Sequence, residues 1–280
     1  MGQRKLETAM KRRSFLSYGS LLVHGVVAVS LAPGKALALV QPSESYFRKM
    51  AQFDDPDPMD LVAPEEEFQL LRSTLNRMKR VQKQVGYGNF NILSFDDMLK
   101  IGRTYTSVEQ FSRGELAFLE KLFYEDASVY GFYGAKVLRN LTDNVDSENT
   151  VYVRGTGQRI FRGPAQERYR SVKRAVGSDL VLTSGVRSIV KQLYLFMRKA
   201  ERADGNLSLA SRSLAPPGYS FHAVGDFDVG KRGLGGANFT DAFARTDVYR
   251  RLVDLGFVRM RYPQRNLLGV RFEPWHIRVA

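Results

Sequence analysis

The 280-residue chain has no cysteine, three histidines and one tryptophan. Without cysteine there are no disulfides, no thiolate metal ligands and no cysteine nucleophile. Any metal must then be held by His, Asp, Glu, backbone carbonyls or water. No low-complexity tract dominates, which excludes wholesale disorder. No basic–aromatic stripe or helix-turn-helix pattern is present, so nothing selects nucleic acid as a partner. What is present is a hydrophobic fraction of 44% and an aromatic fraction of 11%, enough for a real core in one large domain or two modest ones.

The formal charge of +13 overstates the basicity of the working protein. Residues 1–38 hold six Lys/Arg and one Glu, leaving 36 bases against 28 acids, or +8. That balance suits contact with anionic surfaces. The same segment reads as an address. Arg12 and Arg13 precede Ser14-Phe15-Leu16, a weakly apolar run follows from Leu21 to Ala32, and Ala36-Leu37-Ala38 offers a cleavage site. This is the plan of a secretory signal peptide, and the arginine pair resembles the twin-arginine signal of bacteria. The run is shorter than the roughly 20 apolar residues of a membrane span. The expectation is therefore cleavage after Ala38, a periplasmic or otherwise exported protein, and no stable membrane insertion. Only His222 and His276 survive that cut.

Three segments follow from the texture: the signal peptide at 1–38, an extended lead-in with a helical accessory region at 39–145, and a domain of mixed strands and helices at 146–280. Pro- and Asp-rich residues 39–63 read as extended chain, with Asp54, Asp55 and Asp57 in a solvated turn. From Pro64 to Gly86 the spacing of Phe68, Leu71, Leu75 and Met78 predicts an amphipathic helix. Ser94 or Asp96 can cap the next helix, and Ser112 with Glu115 forms a capping-box pattern for another. After residue 145, "TVYVRG", "DLVLTSGVRS", "GYSFHAVGDFDVG", "LGFVRMRY" and "GVRFEPWHIRV" read as strands. Between them lie helical stretches in "PAQERYRSVKRAVG", "SIVKQLYLFMRKAERADG" and "FTDAFARTDVYRRLVDLGF". The predicted class is α+β, with a small, mainly antiparallel sheet flanked by helices.

Both remaining histidines sit beside acids. His222 is followed by Asp226 and Asp228, and His276 is preceded by Glu273 in "EPWH". Two imidazoles and one carboxylate make a three-ligand set that leaves a zinc position open. His222, Asp228 and His276 are the expected ligands, with Asp226 the rival to Asp228, and Glu273 the general base and later general acid. Pro274 pushes Glu273 out of helical geometry, so a bend must bring Glu273 and His276 to one side. The plain alternative is that both histidines only pack or hydrogen-bond. "GKRGLGG" lacks the Gly-Lys-Ser/Thr ending of a phosphate loop and reads as a loop bordering the site.

"SFHAVGDFDVG" and "EPWHIR", together with "LTSGVRSIVKQLYLF" upstream, resemble the motifs of the VanY-type D-alanyl-D-alanine carboxypeptidases, zinc peptidases of the LAS fold. The resemblance spans about residues 150–280. It implies one zinc per chain on His222, Asp228 and His276, Glu273 as base, and Arg187 meeting a substrate carboxylate or carbonyl oxygen. Ser184, Gln192, Ser220 and Trp275 would shape the substrate site. The family spaces its aspartate seven residues after the histidine, where this chain has Val229, which implies a one-residue shortening before Asp228. The implied activity is removal of C-terminal D-alanine from peptidoglycan stem peptides. An L,D-carboxypeptidase or endopeptidase on the same zinc site, or a silent wall-binding module, are the alternatives.

Overall fold

The computed structural model describes residues 43–258 and 260–280. The signal peptide expected at 1–38 lies outside the described residues. Ser43 caps helix α1 (Glu44–Ala51) by accepting from Tyr46 N. The extended lead-in expected at 39–63 is thus helical in its first part. Lys49 pairs there with Asp57 and Asp60, closing the acidic turn.

Helix α2 (Glu65–Val85) carries three acids in its first turn and ends at Gly86, whose φ of 84° a β-carbon would resist. A short turn, α3 (Tyr87–Phe90), leads to α4 (Phe95–Thr104) and α5 (Arg113–Tyr124). Ser94 caps α4, and the Ser112–Glu115 capping box forms in full on α5. Strands β1 (Thr150–Val153) and β2 (Gln158–Phe161) make an antiparallel hairpin. Then come α6 (Pro164–Val176), β3 (Leu180–Ser184), α7 (Ile189–Arg202), α8 (Leu207–Ser213), β4 (Phe227–Lys231), α9 (Asp247–Asp254) and β5 (His276–Ile277). The second sheet has the order β3-β4-β5, antiparallel throughout.

Two apolar clusters fill the interior. One joins α2, α4 and α5 to the buried face of α7, through residues such as Leu71, Leu75, Met78, Leu119, Leu193 and Phe196. The other lies between the sheet and helices α6 and α9, around Phe227, Val229, Val172 and Leu252. The helical region is therefore continuous in its packing with α7, and the described residues fall in one compact unit.

Three expectations change. No strand forms in the described part of "LGFVRMRY"; a turn after α9 and irregular chain carry it toward the site. The stretch "FTDAFARTDVYRRLVDLGF" is helical only from Asp247, with single 3₁₀ turns before it. His222 lies in a 3₁₀ turn, Phe221–Ala223, rather than in a strand.

Candidate metal centre

The sheet builds the site by register. Ser184 on β3 and His276 on β5 each face Asp228 on β4, so the three stand in one row across the sheet. Along β4 the alternation sends Phe227 and Val229 into the apolar cluster and Asp228 to the opposite face. Leu182 and Ser184 are two residues apart and would share a face in a regular strand. A register shift between them turns Leu182 to the core and leaves Ser184 on the site side.

At the other end of the row, His276 N donates to Glu273 O at 3.2 Å. This turn is the bend that Pro274 demands, and it brings Glu273 Oε2 within 3.6 Å of His276 Nδ1. The 3₁₀ turn carrying His222 is tied to the chain after β3. Arg187 N donates to His222 O, and His222 Nδ1 bonds to Gly185 O at 2.8 Å. Gly185 has no substitute here, since a β-carbon would stand 1.9 Å from Arg159 O.

These ties settle the tautomers. With Nδ1–H donated to Gly185 O, His222 presents Nε2. His276 donates Nε2–H to Asp226 Oδ2 at 2.9 Å and presents Nδ1. Both presented nitrogens stand 3.3 Å from Asp228 Oδ1, a buried oxygen with no hydrogen-bond partner. Two donor atoms bound to one tetrahedral zinc at about 2.0–2.1 Å lie about 3.3 Å apart. An orphaned carboxylate oxygen between two lone-pair nitrogens, at that separation, suits a zinc ion, and all three donors lie within 4.8 Å of one another.

Asp226 stands behind His276, buried rather than near solvent. It accepts from Arg261 Nε at 2.6 Å and from the backbone N–H of Val279 and Ala280. Burial opposes its ionisation, but the His276 and Arg261 hydrogen bonds hold its carboxyl well below the usual range. Burial likewise opposes ionisation of Asp228, and the facing histidines hold it low. Burial pushes Glu273 the other way, up to about 7, with Asp228 adding to the effect. Burial would depress His276, but its hydrogen bond to Asp226 and the facing Asp228 and Glu273 carboxylates outweigh this and raise it, so a metal on Nδ1 would have to displace the proton that these acids favour there.

Arg187 is buried with its guanidinium held by Ser184 Oγ at 3.0 Å, Gln192 Oε1 at 3.3 Å and Asp228 Oδ2 at 3.5 Å. Its Nε has no partner. Gln192 is itself anchored on Ala215 O. Ser220 and Trp275 line the same cavity of about 380 Å³, with Phe239 edge-on to the Trp275 ring. The site residues read from the sequence border this cavity except Gln192, which accepts from Arg187, and the rival aspartate Asp226. The sequence reading did not include Tyr262, whose ring stands edge-on to His276 at 5.2 Å, or Arg271 over Trp275. Neither has a spacing signal, since loops alone bring them in. The basic side chains of α7 along the cavity had a signal in their helical spacing.

A buried His–Asp–His donor set with a carboxylate beside it and an open cavity in front is the arrangement that metal-assisted hydrolysis requires. Residues 164–280 match the family model of VanY, D-alanyl-D-alanine carboxypeptidase. No curated protein matches the chain. Among solved structures, a point mutant of the vancomycin resistance D,D-pentapeptidase VanY, in complex with Zn(II), is 26% identical. The match covers 52% of this chain and 86% of that one, with a TM-score of 0.37. VanYB in complex with D-alanine-D-alanine is 27% identical over 51% and 84%, also at 0.37. The LdcB LD-carboxypeptidase is 24% identical over 43% of this chain, at 0.36, and the match spans 59% of its length. No helix among the described residues is long and apolar enough to cross a membrane.

Proposed function

We propose that the chain is an exported zinc carboxypeptidase that removes a C-terminal D-alanine from peptidoglycan stem peptides. The observation that carries the reading is the orphaned Asp228 Oδ1 between His222 Nε2 and His276 Nδ1, with Glu273 alongside in a cavity open to a peptide end. His222, Asp228 and His276 hold the metal. Zinc in such a set supplies Lewis acidity, lowering the pKa of water to about 7 and polarising a carbonyl. Glu273 takes the proton of the attacking water on a carboxylate oxygen and returns it to the amine leaving from the scissile bond. Its raised pKa, about 7, suits both directions of transfer near neutrality. Arg187, fixed by Ser184 and Gln192, presents its guanidinium to the substrate carboxylate or carbonyl oxygen. Ser220 and Trp275 wall the terminal residue. The twin-arginine-like N-terminus supports export.

Mature protein incubated with tetra-, penta- and crosslinked muropeptides is to be followed by mass spectrometry. Loss of one alanine from pentapeptides is expected. Loss from tetrapeptides alone would assign an L,D-carboxypeptidase, and cleavage of crosslinks an endopeptidase. Glu273→Gln should keep one zinc per chain while turnover falls by about 10²- to 10⁴-fold. Wild-type turnover in that variant would remove Glu273 from the chemistry, and wild-type protein without bound zinc would favour a silent wall-binding module.

A further inference from the structure

The cavity does not end at the metal centre. It continues along α7, where Lys191, Leu195, Arg198 and Arg202 line it. At 100° per residue these four fall within about 60° of one another, on the face opposite the buried Leu193, Phe196 and Met197. From Lys191 to Arg202 the helix rises about 16 Å. Lys199 borders the cavity too but is already paired with Asp54 at 2.9 Å. Among the described residues, Lys191, Arg198 and Arg202 have no carboxylate within ion-pair distance. The cavity's own carboxylates, Asp228 and Glu273, both sit at the metal end.

Helix stabilisation does not account for this row. Bases in the last turn of α7 complement the helix dipole, which covers Arg202. Lys191 is in the first turn, its N–H capped by Ser188 Oγ, where a cation opposes the dipole. It is also partly buried against Phe90 and Tyr194. Burial, with Arg187 and Arg198 nearby, draws its ammonium down to about 8. A half-buried lysine beside two arginines, without an acid, is a feature that a bound anion would relieve.

We infer that the Lys191–Arg198–Arg202 face of α7 is a subsite for free carboxylates of the peptide substrate, away from the bond that is cut. It rests on the carboxypeptidase reading and adds a selectivity to it. The length of the row accommodates four to five extended residues at about 3.3 Å each. The ligand class is a short acidic peptide with side-chain or α-carboxylates along that length, and amidated forms of the same peptide are the poorer substrates.

The test uses two synthetic pentapeptides ending in D-alanyl-D-alanine, one with a free carboxylate at its internal acidic residue and one with the carboxamide. Cleavage by the zinc-loaded wild type is compared with that by an Arg198→Gln/Arg202→Gln double variant, with Arg170→Gln on α6 as the charge control. Wild type and Arg170→Gln should show a KM roughly 2- to 5-fold lower for the acid, a preference that shrinks with added salt. The double variant should treat acid and amide alike. Cleavage of both peptides by wild type without preference overturns the subsite and leaves the carboxypeptidase reading standing. If neither peptide is cut, that reading fails, and anisotropy of the labelled peptides on Glu273→Gln protein decides the subsite alone: preferential binding of the acid, lost on Arg198→Gln/Arg202→Gln, supports it, and equal binding overturns it. If inorganic polyphosphate blocks wild type while acid and amide bind alike, the face belongs to a polyanion and the proposal falls.

Discussion

At the scale of single residues, the two aspartates after His222 divide the work by direction. Asp228 faces the presented nitrogens of both histidines, while Asp226 holds the far nitrogen of His276. Asp226 also gathers Arg261 and the last two backbone N–H groups, so one carboxylate fixes the His276 ring and ties down the end of the chain. Outer hydrogen bonds of this kind fix ring orientation and are worth about 10- to 100-fold in metal affinity. Asp226→Asn should weaken zinc by about that factor, read by competition with a chromophoric chelator, while far-UV circular dichroism stays unchanged. Undiminished affinity would reduce Asp226 to a C-terminal clasp. Gly185→Ala probes the other histidine. Its methyl would meet Arg159 O at 1.9 Å and displace the carbonyl that holds His222 Nδ1. A loss of about 1–3 kcal/mol in urea unfolding is expected, accompanied by weaker zinc binding.

At the scale of elements, what could be read from the chain divides along local and non-local lines. Helices α4 and α5 carry serine caps, α2 starts after Pro64 with acids in its first turn and stops at Gly86, and all three have one-sided apolar spacing; such signals sit within a few residues of where they act. Strand β5 is only two residues long and exists because β4 offers it partners; no propensity within "HIRV" announces it. Helix α8 is hidden for the opposite reason. Every residue from Leu207 to Ser213 is buried, so no polar face alternates with an apolar one, and its serines read as loop. The α1 helix was obscured by the prolines and aspartates around it, although Ser43 and Glu44 form an ordinary start. In the site, His222, His276 and Trp275 are legible because their types are scarce in this chain, and Asp228 and Glu273 because they stand beside them. The bulge that turns Ser184 toward Arg187 and the loops that deliver Tyr262 and Arg271 depend on contacts far along the chain.

At the scale of the whole molecule, the helical region outside the family match packs continuously against α7 of the matched part. The α7 helix presents its cationic stripe to the cavity and its apolar face to α2, α4 and α5, and Ser188, its cap, donates its N–H to Asn91 O at the end of α3. Loosening α2 should therefore reach the metal centre. Leu75 on α2 is fully buried, and Leu75→Ala should cost about 2–5 kcal/mol. The sole tryptophan, Trp275, lies in the site, so its fluorescence reports the catalytic end, while far-UV circular dichroism is dominated by the helices. In a single cooperative unit the two signals share one unfolding midpoint, and Leu75→Ala moves both together. A shift in the dichroism with the Trp275 transition left in place would mean that residues 39–145 fold as a separate domain, and that α7 owes its position to the sheet alone.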